Sequence, residues 1–243
     1  MLILSIDTCD SRGSLALLRN NAILRTISHT TNEDYSSWLL PAVNGLLADA
    51  GLRLTDVDLY AVAAGPGSFT GLRVGLTAIK AWSEVYARPI VVVSRLEALA
   101  VQAEPAGMRN DRGALIGSFI DARRGQLFAA LYRQSDDSLE RTGDEMVIEP
   151  SGFLAFVEEH GKDERISWVS LDPESVTETE GWRSHRERGE SVQKISPVLA
   201  PIIGDLGYKR ANTGQLTDAL ALDANYVRRS DAEIFWKGAK PTV

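Results

Sequence analysis

Cysteine is almost absent from this chain: among its 243 residues Cys9 stands alone, which excludes an internal disulfide and any multi-cysteine metal site. Histidine is scarce as well. His29, His160 and His185 stand far apart, none is paired at the i, i+4 spacing that puts two imidazoles on one helix face, and no HExxH occurs. No apolar run approaches the length of a membrane span. The first seven residues lack a basic stretch and run straight into Asp7, so no signal peptide is predicted and the expected location is the cytoplasm. Basic charge is also in deficit: 33 acids face 26 lysines and arginines, a net charge of −7. A surface that grips nucleic acid must neutralise phosphates with cations, so this chain alone is a poor candidate for the main nucleic-acid-binding surface.

What remains is an ordinary globular composition, 44% apolar and 24% charged, in a chain long enough to bury one large core or two small ones. Residues 2–6 read as a buried strand ending at Asp7, followed by a polar turn and a return strand over 13–18. The pair Asn20-Asn21 turns the chain into a third strand over 22–28. Leu39, Leu40, Val43, Leu46, Leu47 and Ala50 then fall at helical spacing, with Gly51 suited to end a helix over about 36–50. A strand over 57–64 follows, then a glycine-rich loop and a helix over about 70–86 carrying Leu72, Leu76, Ile79 and Val85 along one side. After the strand at 89–93, Ser94-Arg95-Leu96-Glu97 has the form of a capping box.

Something repeats near residue 113. Residues 115–120 are apolar, Asp121 ends the run, a polar turn leads to Gly125, and 127–131 return, as residues 3–18 do around Asp7 and Gly13. Two such units about 110 residues apart suggest a duplicated α/β domain. The expected partition is a first domain over 1–104, a second, reduced one over 110–230 and a tail over 231–243. In the second half a helix from Ser151 to about 160 and a strand over 166–171 are legible; 172–189 reads as an exposed charged excursion, and 195–206 stays ambiguous because Pro197 and Pro201 interrupt it.

The loop Gly65-Pro66-Gly67-Ser68-Phe69-Thr70-Gly71 joins a strand to a helix, where backbone amides can hold an anion. It lacks the Lys-Ser or Lys-Thr of a Walker A loop, and its glycine spacing is wrong for a dinucleotide fingerprint. The alternative is a tight turn in which Pro66 sets one dihedral and Gly67 supplies a positive one. Ser68 sits where a hydrolase serine would, but Pro66 and Thr70 stand where Gly-x-Ser-x-Gly needs glycines. Gly71, Gly75, Ala78 and Ala81 leave a stripe of small residues for close approach of another backbone, either the sheet beneath or a helix of another chain; with Leu40 and Leu47 they form the expected partner surface.

The central run from Ala63 through Gly75, its continuation into Ser94-Arg95-Leu96-Glu97-Ala98-Leu99-Ala100, and the segments Ile6-Asp7-Thr8, Ile120-Asp121-Ala122-Arg123-Arg124-Gly125 and Ala224-Asn225-Tyr226-Val227-Arg228-Arg229 resemble the TsaB (YeaZ-like) family. Two departures stand out: Ala224 replaces a usual proline, and Tyr35-Ser36-Ser37-Trp38 replaces the frequent His-Ser-Glu before Leu39-Leu40-Pro41. The resemblance implies a two-domain actin-like (ASKHA, ribonuclease H-like) fold with duplicated mixed sheets and flanking helices. It implies a non-catalytic scaffold for the threonylcarbamoyl modification of tRNA adenosine. Its partners would be a TsaD-like catalytic subunit and a TsaE-like ATPase, with a homodimer in isolation and tRNA reached only through the complex. In active actin-like members the hairpin aspartates and glycines surround ATP phosphates. Asp7, Gly13, Asp121 and Gly125 would then be vestigial nucleotide positions, with no cofactor of the chain's own and ATP and Mg only in the complex. The competing reading is a self-sufficient actin-like ATPase or phosphotransferase. Against it, the first turn adds an acid, Asp10, and no Gly-Gly adenine segment follows the second hairpin.

Overall fold

The computed structural model describes residues 1–30, 32–103, 114–134, 139–161, 164 and 166–228. The expected boundary around 104–110 and the tail over 231–243 lie outside these residues.

Strand β1 (Leu2–Asp7) is buried along its whole length, which is why it reads as an unbroken apolar run rather than an alternating one. It pairs antiparallel with β2 (Ser14–Arg19), which pairs with β3 (Ala22–Ser28). On its other side β1 runs parallel to β4 (Leu59–Ala63), and β4 to β5 (Ile90–Val93). The sheet order is β3-β2-β1-β4-β5. Helix α1 (Tyr35–Ala48) joins β3 to β4, α2 (Phe69–Tyr86) joins β4 to β5, and α3 (Arg95–Ala100) leaves the sheet.

The second half repeats this plan. Strands β6 (Leu115–Arg123), β7 (Gln126–Gln134), β8 (Leu139–Ile148), β9 (Ile166–Ser170) and β10 (Val192–Lys194) assemble in the order β8-β7-β6-β9-β10, strand for strand the order of the first sheet. Helix α4 (Pro150–His160) holds the place of α1. The segment expected to be an exposed excursion instead folds into two short helices, α5 (Glu174–Thr177) and α6 (Arg183–Glu187). It buries Val176, Trp182 and His185 against Trp168. Its many charges conceal one apolar side per turn, too short a pattern for periodicity to register.

Two helices cross between the halves. Helix α3 packs on β6, β7 and β9, while α7 (Ala200–Asn212) returns to pack on β1, β2, β4 and β5. Pro201 sits in the first turn of α7, where its missing N–H costs nothing. Gly204 and Gly207 let the helix lie so close that a Cβ would meet Leu18 and Ala61 side chains at 2.3 and 2.7 Å. The helix start is tied to the sheet by two buried serines: Ser5 Oγ donates to the Ala200 carbonyl at 2.6 Å and Ser14 Oγ accepts from its amide at 3.0 Å. Glu97 does not close a capping box. Ser94 Oγ accepts from the Leu96 and Glu97 amides, but the Glu97 carboxylate pairs with Arg210 on α7 at 2.6 Å. The main core consequently runs from one half into the other. Among the described residues no helix is long and apolar enough to cross a membrane.

Candidate functional site

The hairpin turns of the two halves face each other across a cleft of about 610 Å³, closed on one side by the glycine-rich loop and on another by the chain's last described residues. Each turn is positioned by a parallel-flanked central strand, β1 or β6, whose end delivers an aspartate to the cleft region.

The first turn is already satisfied by its own side chains. Asp7 is fully buried; one carboxylate oxygen accepts from the Cys9 amide at 2.9 Å and the other from Arg95 Nε at 3.1 Å. Arg95 is itself fully buried. Burial lowers its affinity for a proton, and the charge of Asp7 more than restores it, so the guanidinium stays cationic. The Arg12 amide donates to Asp10 at 2.9 Å, and the Gly13 amide donates to the Tyr35 hydroxyl at 2.8 Å. Burial pushes the Asp10 carboxyl up, but Arg12 and Arg95 outweigh it and hold it well below the usual carboxylate range. Burial, seconded by Asp7, pushes the Cys9 thiol well above its ordinary range, so it is no nucleophile. The Cys9, Arg12 and Gly13 amides and the Asp7 carboxylate, groups that would serve a metal-bound phosphate here, are occupied, which does not suit ATP–Mg held in the manner of active actin-like proteins.

The second turn differs. Asp121 is half-buried and lines the cleft, where its carboxylate accepts from the Arg123 amide at 2.7 Å. Arg123, Arg124 and Gly125 follow in the left-handed region, with φ of 65°, 59° and 70°. Of the four positions expected to be vestigial, the structure therefore brings Asp121 to the cleft wall, places Gly125 in the hairpin tip, and seals Asp7 and Gly13 inside the first turn.

The glycine-rich loop is a packing device. A Cβ at Gly67 would lie 2.1 Å from the Cys9 carbonyl oxygen, one at Gly71 2.0 Å from that of Thr8, and one at Gly75 2.4 Å from Thr8 Oγ1. The positive φ belongs to Gly65, at 115°, not to Gly67. These contacts correct the expected partner surface: Gly71 and Gly75 face the chain's own first hairpin. Leu47, 2% exposed, is likewise core, and Ala78 is half-buried against it. Leu40, 54% exposed, and Ala81 are at the surface; Val85, assigned to the packed side, is 73% exposed.

Several residues that organise this region escaped sequence reasoning. Arg95, Arg12, Asp172, Glu145 and the segment 225–228 all bond near or across the cleft. A signal for Arg95 existed: a cation in the stretch 90–100, otherwise apolar but for Ser94 and Glu97, calls for an acid partner once buried, and Asp7 was available.

With this geometry in view, similarity to known proteins is specific. Residues 24–172 match the family model described as "TsaD: tRNA N6-adenosine threonylcarbamoyltransferase". The chain is 30% identical to the tRNA threonylcarbamoyladenosine biosynthesis protein TsaB of Bacillus subtilis, over 97% of this chain and 98% of that protein. It is 29% identical to TsaB of Escherichia coli, over 85% and 84% respectively. YeaZ from Pseudomonas aeruginosa superposes with a TM-score of 0.64 at 24% identity, covering 92% of this chain and 98% of that one, and shares its two-sheet actin-like fold. Matching length, matching fold and the shared central run lead to one conclusion: the chain belongs to the TsaB family and is a protein of tRNA threonylcarbamoyladenosine biosynthesis.

Proposed function

We propose that this chain is a non-catalytic subunit that pairs, through α1 and α2, with a TsaD-like catalytic subunit for threonylcarbamoyl transfer to tRNA adenosine 37. A TsaE-like ATPase joins the assembly, tRNA is reached through the complex, and in isolation the same face forms a homodimer. The observation that carries the pairing is chemical: α1 contains no charged residue along its 14 positions, yet it exposes Leu40, Pro41, Gly45 and Ala48. A Cβ at Gly45 would meet nothing within 4 Å, so another backbone can approach closely there. Helix α1 touches α2, whose outer side adds Ala81 and Val85 beside Lys80 and Glu84, and a two-helix face centred on the uncharged α1 suits an interface of ordinary size, about 1,200–2,000 Å² in total. The non-catalytic reading and the lack of a cofactor of its own are supported by the self-satisfied first turn.

The test is substitution at exposed positions of that face. Ala81→Arg and Leu40→Glu should abolish association with a copurifying TsaD-like subunit and reduce the homodimer to monomer, while the melting temperature changes only by what association contributed. Retained association in both variants would exclude the face. Robust ATP turnover by the isolated chain, lost in Asp121→Asn, would replace this reading with the ATPase one.

A further inference from the structure

We infer that residues 223–228 form a latch that holds the cleft at a fixed width and ties its state to the start of α2. The two halves share a core at the base of the cleft, which leaves the mouth as the place where they can part. The last described segment spans that mouth. The Asn225 amide donates to the Ala64 carbonyl of the first half at 2.8 Å, and its side-chain amide donates to Glu145 on β8 of the second half. Glu145, with a side chain 3% exposed, also accepts from Ser94 Oγ, so one sealed carboxylate joins first half, second half and segment. Arg228 reaches the second hairpin, donating to the Ala122 carbonyl at 2.8 Å and to Gln126 at 2.7 Å, with its guanidinium over the Phe128 ring. Between them, Tyr226 stacks on Phe69, the first residue of α2, with ring centroids 4.8 Å apart, and accepts from Arg73 at 3.2 Å. A further tie joins the hairpin of the first half to the end of β9: Arg12 makes two bonds to Asp172, at 3.1 and 3.2 Å.

The glycine-rich loop is shaped around this segment. At Gly65 a Cβ would stand 2.9 Å from the Asn225 carbonyl oxygen, and φ is already positive, so the loop admits the latch only as glycine. Because Phe69 and Arg73 belong to the first two turns of α2, a widening of the mouth that keeps the Arg228 and Glu145 contacts must pull Tyr226 off those turns. The cleft width and the start of α2 are therefore coupled through the segment. A hinge-bending actin-like enzyme needs the opposite arrangement, with few ties above the hinge.

Removing the latch tests this in the intact chain. Spin labels at Arg19→Cys and Glu159→Cys, both exposed and in different halves, report the angle between the sheets, and Cys9, 0% exposed, is out of reach of the label. The latch-intact protein should give one narrow distance distribution. The triple variant Asn225→Ala, Tyr226→Ala, Arg228→Gln should broaden it about twofold, and amide exchange should rise about tenfold at residues 69–74 and 121–126 with β1 and β6 unchanged. Equal widths and unchanged exchange in the triple variant overturn the inference, as does a broad distribution in the intact protein. If the triple variant fails to fold, Arg228→Gln alone should still raise exchange at 121–126, and no rise there also overturns it.

Discussion

Asp7 is the residue at which sequence and structure part most clearly. By position it is the aspartate an actin-like enzyme would turn toward metal and phosphate; by environment it is half of a fully buried ion pair with Arg95. Breaking such a pair leaves a charge buried without its partner and costs about 3–5 kcal/mol. Asp7→Asn should therefore lower stability to urea by that amount, whereas an aspartate kept for metal binding would lose little or gain. Asp10 carries a pH signature. Its folded carboxyl is held low by Arg12 and Arg95. The stability it contributes is therefore fully present above its unfolded value, about 3.9, and is lost as pH falls toward the lower folded one. Urea titrations of wild type and Asp10→Asn should differ by roughly 2–3 kcal/mol, constant above about pH 5 and shrinking steadily below pH 4. A difference independent of pH between 2 and 7 would show that the pairing is not electrostatic.

At the scale of the element, helix α2 ends without its usual glycine. Ala87 occupies the left-handed cap at φ 49° and ψ 49°, its amide donating to the Ser83 carbonyl, and it is exposed. A side chain there costs about 1 kcal/mol relative to glycine. Ala87→Gly should raise the melting temperature by about 2–4 °C, read by differential scanning calorimetry, and an unchanged or lower value would contradict the cap. The helices α1 and α2 were legible from periodicity because each runs at least 14 residues with an apolar stripe. Which of their remaining small and apolar residues face outward was not legible. Gly71 and Leu47 differ from Ala81 and Leu40 only in what the first hairpin and the sheet place against them, and that is a property of distant chain segments.

For the whole molecule, the net charge of −7 remains the dominant global fact; five arginines line the cleft, of which Arg12, Arg95 and Arg123 are paired with Asp10, Asp172, Asp7 and Asp121. The isolated chain should therefore bind tRNA weakly, with log K falling against log salt by a slope no steeper than about −2. Filter binding at several salt concentrations gives the slope directly, and one near −5 would place a substantial phosphate-binding surface on this chain.

The sequence by itself determined the α/β class, the duplication and most strands, because apolar runs and the turns between them are local features that survive without their partners. It also carried the family, through a central run of glycines whose spacing reflects how closely α2 must lie on Thr8 and Cys9. Only the tertiary structure decided what those residues do. Burial of Asp7 depends on Arg95, 88 positions later, and the latch depends on Asn225 meeting Ala64 and Glu145. Helix α7, ambiguous in sequence because of Pro197 and Pro201, forms because the first sheet supplies two serine partners and a surface that only small residues can approach. Charge pairing and close packing act between surfaces that the chain brings together late, so no window of sequence contains both sides of the interaction.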